Sequence, residues 1–207
     1  MFTFFYNPGS CSLASHIALE EAQAVYEARR VDFAASEQRS PAYLAVNPKG
    51  RVPALVTPRG VLTETPAILA FIAQSFPAAK LAPLDDPFLF AEVQAFNSYL
   101  CSTVHVAHAH RVRGHRWADD ADAHAAMRKK VPENMTACFD LIDKEMLRGP
   151  WVMGEAYSIA DPYLFTIAGW LEKDGVDIAR FPRVRDHFNR MLERPEVERA
   201  CAAAAAA

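Results

Sequence analysis

The chain has 207 residues, of which 51% are hydrophobic and 23% charged, with a net charge of −3. This is an ordinary globular composition, long enough for one large domain or two modest ones. The slight acidity leaves no basic footprint for nucleic acid, and no apolar run reaches the roughly 18 residues of a membrane span.

The first element is an aromatic run, Phe2–Tyr6, which reads as a strand and meets a turn at Pro8-Gly9. A helix begins near Cys11, with Leu13, Ile17 and Ala18 on one side. A second extended run covers 26–33, and a short helix covers Pro41–Val46. The runs Ala54–Thr57 and 61–63, separated by Pro58-Arg59-Gly60, predict a hairpin. A helix follows to Ser75, with Ile68, Leu69 and Ile72 on one face. The order β-α-β-α-β-β-α is that of a thioredoxin-like domain.

Residues 81–87 carry two prolines and two acids and read as a boundary. Beyond them no strand pattern remains. Helical periodicity covers 88–112 and 121–147, where Gly149-Pro150 stops it, and further helices are expected at 159–174 and 183–194. The expected fold is therefore α/β plus all-α. A thioredoxin-like domain spans 1–80, a linker 81–87 and an α-helical bundle domain 88–207. The six alanines at 202–207 favour helix by propensity and carry no chemistry.

Cys11 is the most informative residue. At a helix N-terminus, unpaired backbone N–H groups and the macrodipole favour a thiolate, hence a nucleophile or a partner for another sulfur. The alternative is a small buried cysteine that only packs. The four cysteines, Cys11, Cys101, Cys138 and Cys201, show neither C-x-x-C nor zinc-like spacing. With no cationic leader before an apolar core, that usage points to a reducing, cytoplasmic setting.

Pro53 opens an apolar strand, as a residue that cannot donate to a ladder should. In Glu64-Thr65-Pro66, Thr65 reads as an N-cap with Pro66 at the first helical position. Capping does not explain Glu64. A ligand bearing both an α-carboxylate and an α-ammonium would use both residues: the carboxylate on the helix N-terminus and Thr65, the ammonium on Glu64. Ser158-Ile159-Ala160-Asp161 is a capping-box variant with a structural role, worth roughly 0.5–2 kcal/mol. His105, His108, His110 and His115 include i, i+3 pairs, yet no cysteine or carboxylate completes a ligand set, so no metal is expected.

Together these residues resemble a cytosolic glutathione transferase over nearly the whole chain. The opening Tyr6-Asn7-Pro8-Gly9-Ser10-Cys11-Ser12 is similar to that of the bacterial beta class. The resemblance implies a homodimer that conjugates glutathione, its co-substrate, to hydrophobic electrophiles. It implies that Cys11 contacts or pairs with the glutathione sulfur, with Tyr6, Ser12 and His105 close by. It makes the bond before Pro53 cis, so that Val52 pairs with the cysteinyl backbone; a trans turn proline is the alternative. Glu64 and Thr65 hold the γ-glutamyl end. Arg39 stands where the family commonly has a lysine for the glycyl carboxylate. Ser98 falls at the family's asparagine, and Ser102 opens the stretch Ser102-Thr103-Val104-His105. Cys11 adds thiol–disulfide exchange as a second mode, without a second cysteine to resolve the mixed disulfide. A non-catalytic glutathione-binding or stress-regulatory protein on the same fold is the rival reading.

Overall fold

The computed structural model describes residues 1–205. Its sheet has four strands in the order β2-β1-β3-β4, formed by β1 (Phe2–Tyr6), β2 (Tyr26–Arg30), β3 (Ala54–Thr57) and β4 (Gly60–Thr63). β2 runs parallel to β1 with Phe2 opposite Tyr26; β3 runs antiparallel to β1 with Phe4 opposite Leu55; β4 closes the hairpin. Phe4 and Leu55 are fully buried among Ile68, Leu69 and Ile72 of α3 (Thr65–Ser75), so one face of the sheet is covered by that helix. The second strand is shorter than the extended run expected over 26–33. After Val31 the Asp32 carboxylate accepts from the N–H groups of Ala34 (2.8 Å) and Ala35 (3.2 Å), and this local turn replaces strand pairing.

α1 (Ser12–Glu21) is not a one-sided amphipathic helix. Ser12 and every residue from Ala14 to Leu19 are buried. Ala14, Ala18 and Leu19 join the core beneath the sheet, whereas Ile17 packs with Phe165, Met191, Val197 and Ala200. α1 therefore lies at the seam between the sheet-bearing half and the helical half, touching α3, α7 (Ala160–Ala168) and α9 (Pro195–Ala205). α2 covers Pro41–Val46 as expected.

The helical half contains α4 (Pro87–Tyr99), α5 (His105–Ala109), α6 (Ala121–Leu141), α7 (Ala160–Ala168), α8 (Pro182–Leu192) and α9 (Pro195–Ala205). Asp86 starts α4 by accepting from Phe88 N (2.9 Å) and Leu89 N (3.0 Å). The continuous helix expected over 88–112 widens into a π-helical stretch at Leu100–Val104 before α5, and α6 ends in a similar stretch at Ile142–Met146. Such wide turns recur at functional sites. The helix expected to 174 stops at Ala168, and a 3₁₀ turn at Glu172–Asp174 ends in Gly175 at φ +77°. α9 takes in the alanines to Ala205; residues 206–207 of that tract lie outside the described residues.

Asp161 in the first turn of α7 does more than cap. It is fully buried. Its Oδ1 accepts from Val152 N (2.8 Å) and faces His187 Nε2 (3.0 Å); its Oδ2 accepts from Ser158 N (2.7 Å) and Ser158 Oγ (3.3 Å). One carboxylate thus ties the loop before α7, α7 itself and α8. Among the described residues no helix is long and apolar enough to cross a membrane.

Candidate active site

A cleft of about 530 Å³ opens between the loop after β1, the β3 entry, the N-terminus of α3 and the helical wall formed by α5 and α7. Cys11, half-buried, occupies the cap position of α1 and directs Sγ to the Val52 carbonyl at 3.6 Å. The Val52-Pro53 bond is cis. Tyr43 Oη (2.7 Å) and Asn47 Nδ2 (2.6 Å) both donate to the Arg51 carbonyl, and these two bonds hold the backbone that presents Val52. Burial pushes the Cys11 thiol up, against the opposing pull of Thr65 and of the Arg113 guanidinium. The thiolate expected from the helix N-terminus alone is therefore not the favoured resting form. Withdrawal from water is the largest influence on this thiol, and its S–H has the Val52 carbonyl to donate to.

Glu64, Thr65, Val52, Pro53, Arg39 and His105 line this cleft with Cys11. Thr65 is not the N-cap of α3: Glu64 holds the cap position without capping through its side chain, and Thr65 is the first helical residue. Glu64 has φ +73° and ψ 123°, a conformation that costs a non-glycine residue on the order of 1–3 kcal/mol and that collects at ligand sites. Its carboxylate pairs with Lys49 Nζ at 2.5 Å, and Lys49 also donates to Thr63 Oγ1 at 2.7 Å. Gly50 sits at φ +60°, where a Cβ would lie 2.9 Å from the Gln38 carbonyl and 3.0 Å from Arg39 Nη1. Only glycine lets the Arg39 guanidinium lie this close to the chain. Burial first, then Arg113, His108, Arg116 and Arg51, pulls the His105 imidazole down to about 3. It enters any chemistry near neutral pH as a neutral ring that donates one N–H.

Four expected site residues fall elsewhere. Tyr6 is buried with Phe4, stacks on it at 6.1 Å, and donates its hydroxyl to the Ala203 carbonyl at 3.2 Å. Ser12 is buried, and its hydroxyl bonds Ser10 Oγ (2.7 Å) and Asn7 of the β1–α1 loop. Both residues line a separate cavity of about 280 Å³ behind that loop, shared with His16 and Cys201. They support the loop from behind and do not face the Cys11 thiol. Ser98 and Ser102 are exposed, Ser102 donating to the Ser98 carbonyl at 2.8 Å, and neither lines the cleft; Asn97 beside them is buried.

The cleft also contains residues that sequence reasoning missed, namely Arg51, Arg113, Arg116, Tyr163, Trp117 and Trp170. Trp170 donates its indole N–H to the Gly9 carbonyl at 3.1 Å, two residues before the thiol, and its ring lies 5.0 Å from His105 and 4.3 Å from His108. His108 is held in turn by Asp174, at 2.7 Å from Nδ1 to Oδ2. No periodic signal marks the arginines, which come together only through the fold. Among the described residues no cluster of three or more metal-ligating side chains occurs.

Comparison with known proteins bears on this geometry. The family model for the glutathione S-transferase N-terminal domain matches residues 1–74, and that for the C-terminal domain matches residues 100–195. The chain is 31% identical over 202 residues to glutathione S-transferase GstA of Escherichia coli, covering 96% of each protein. A glutathione transferase homologue from Sulfitobacter, solved with bound glutathione, is 46% identical with a TM-score of 0.95 over 98% of each chain. A bacterial beta class glutathione S-transferase from Sphingomonas chungbukensis is 34% identical with a TM-score of 0.85, again over 98% of each. On the strength of fold, cleft and these similarities, the chain belongs to the glutathione S-transferase family.

Proposed function

We propose that this protein is a glutathione transferase, joining the glutathione thiol to electrophiles of the kind met in detoxification, with a second, Cys11-dependent mode of thiol–disulfide exchange. The observation that carries the reading is the shared cleft. A thiol 3.6 Å from the Val52 carbonyl, beside a cis proline, opens onto the same space as Glu64 and Thr65 at the start of α3. The thiol would meet the central cysteinyl sulfur of one tripeptide while the carboxylate-and-ammonium grip holds its γ-glutamyl end. Glu64 takes the α-ammonium, Thr65 and the α3 N-terminus the α-carboxylate, and Arg39 the glycyl carboxylate. Val52 pairs with the cysteinyl backbone as an added strand would.

Glutathione's thiol, like any unperturbed thiol, ionises above neutrality, with a pKa of about 8.5. The cleft offers the field of Arg113 and a neutral N–H donor in His105 to favour its thiolate. The thiolate attacks the electrophilic carbon and the leaving group departs into the cleft. Against a disulfide that carries glutathione, the Cys11 sulfur attacks the glutathione sulfur, forms a mixed disulfide and expels the other sulfur as thiolate. A second glutathione thiolate then attacks the mixed disulfide, leaves as glutathione disulfide and frees the Cys11 thiolate.

The working unit is proposed to be a homodimer in a reducing, cytoplasmic setting, to which four free cysteines are suited. The exposed Phe88 and Leu89 at the start of α4 are available to a second copy, as are Ser98 and Ser102 further along. In that arrangement the two serines would serve the partner's glutathione. Titration calorimetry with glutathione, together with turnover of 1-chloro-2,4-dinitrobenzene, tests the proposal. Cys11→Ala should abolish exchange with glutathione disulfide and retain conjugation. No heat of binding and no turnover would end the reading.

A further inference from the structure

The chain carries a net charge of −3, yet its main cleft is strongly basic. Arg39, Arg51, Arg113 and Arg116 line it with His115, while Glu64 is the one acid in the described lining, already paired with Lys49 at 2.5 Å. The nearby Asp174 is buried beneath His108 and Arg111 and engaged by both. None of the four cleft guanidiniums has a hydrogen-bond or ion-pair partner among the described residues, whereas Arg148, Arg194 and Arg199 elsewhere each hold a carboxylate at 2.5–2.8 Å. Four like charges around one space repel one another, and a fold keeps such an arrangement at a cost unless an anion fills it.

Glutathione accounts for part of this charge. Its glycyl carboxylate takes Arg39, next to Gly50, and Arg51 lies on the same strand-bearing half. Arg113 and Arg116 sit on the opposite wall, in the segment after α5, flanking the buried Gly114. Replacing Gly114 would put a Cβ 3.0 Å from the His124 ring, so this segment is packed down onto α6 rather than free. Trp117 and Trp170 line the same region.

We propose that the electrophile half of the cleft is selective for an aromatic or otherwise planar electrophile carrying a carboxylate or similar anionic group, with Arg113 and Arg116 as its anchors. The inference rests on the transferase reading and replaces the purely hydrophobic electrophile expected from the family resemblance. Guanidinium–carboxylate pairs supply geometry as well as attraction, and the tryptophans supply the planar contact. With a chlorinated dinitrobenzoate, the glutathione sulfur bonds to the ring carbon bearing chlorine and the C–Cl bond breaks. Chloride leaves, the thiol proton goes to solvent, and the ring carboxylate stays between the two arginines.

The test compares 4-chloro-3,5-dinitrobenzoate with 1-chloro-2,4-dinitrobenzene, each catalysed rate being divided by its uncatalysed rate at the same ionic strength. The expected result is a normalised kcat/KM about tenfold or more in favour of the anion at low salt, shrinking as salt screens the arginines. In Arg113→Ala/Arg116→Ala the preference should be lost, and in Arg113→Lys/Arg116→Lys it should be partly kept. A second readout needs no turnover: quenching of tryptophan fluorescence by 3,5-dinitrobenzoate should be stronger than by 1,3-dinitrobenzene, and salt-sensitive. Equal normalised rates and equal quenching overturn the inference and leave the transferase reading standing. Arginine-dependent binding of dinitrobenzoate without turnover of either electrophile supports the anion site and overturns the transferase reading.

Discussion

Replacing Asp161 by alanine should be among the most damaging single changes away from the cleft. Its carboxylate is fully buried and accepts from two backbone N–H groups, at Val152 and Ser158, at 2.8 and 2.7 Å, and also meets His187 Nε2 at 3.0 Å. Each buried donor left without an acceptor costs on the order of 1–3 kcal/mol, so orphaning the two backbone N–H groups alone costs roughly 2–6 kcal/mol. We therefore expect Asp161→Ala to destabilise the protein by about 3–5 kcal/mol, in the middle of that range, lowering the melting temperature by roughly 6–20 °C for a chain of this size. Asp161→Asn, which keeps one acceptor oxygen, should fall between that and Ser158→Ala. The latter loses the Ser158 Oγ bond to Ala160 N (3.2 Å) and should cost about 1 kcal/mol. Urea unfolding at fixed protein concentration, followed by tryptophan fluorescence, measures all three. If Asp161→Ala costs no more than Ser158→Ala, the carboxylate is only a helix cap and its role in joining α7 to α8 is wrong.

Four more outcomes are expected. Because burial raises the Cys11 thiol, its alkylation by iodoacetamide at pH 7 should be slower than that of an ordinary thiol, which is about 3% ionised there; a fast, pH-independent reaction would restore the helix-terminus thiolate. Tyr6→Phe should cost about 1 kcal/mol of stability through the lost bond to Ala203 and leave kcat/KM for conjugation unchanged, whereas a marked fall would put the hydroxyl back at the sulfur. Lys49→Met should tighten glutathione binding by roughly 1.5–5-fold in calorimetry, since the ligand no longer displaces a half-exposed ion pair from Glu64; weaker binding would mean that Lys49 itself holds the ligand. His105 has its folded pKa lowered to about 3, so the unfolded chain binds the extra proton first as pH drops below about 6.5. Stability from this group is present above that pH and is lost progressively towards 3, and His105→Gln should flatten that limb of the stability–pH curve.

Much of the sheet-bearing half was legible because its signals are local. Turn residues at Pro58-Arg59-Gly60, alternating apolar runs and a proline at a strand entry act over a few residues each. The inward-facing position of Tyr6 was legible by the same means. Residues two apart on a strand share a face, and Phe4 is core, so Tyr6 had to point inward with it. Ser12 and His16, four apart on α1, likewise share the face that lines the cavity behind the loop. The basic wall was not legible. Arg39, Arg51, Arg113 and Arg116 lie on three segments, before α2, after α2 and after α5, with no spacing that distinguishes them from solvated surface charge. The strain at Glu64 had no sequence signal either, since nothing about a glutamate predicts a positive φ. The third miss was the end of α7, where the apolar pattern runs on through Trp170 and Leu171 while the backbone has already turned.

The bond from the Trp170 indole to the Gly9 carbonyl restricts how this molecule moves. It clips the turn just after α7 to the stem of the thiol-bearing loop, and α1, wedged between the two halves, is common property of both. A jaw-like opening would have to unfasten that clip and tear the loop it steadies. Reactants are therefore expected to be admitted by rotation of the long side chains at the rim, Arg116 and Trp117 foremost, with the frame behind them staying still.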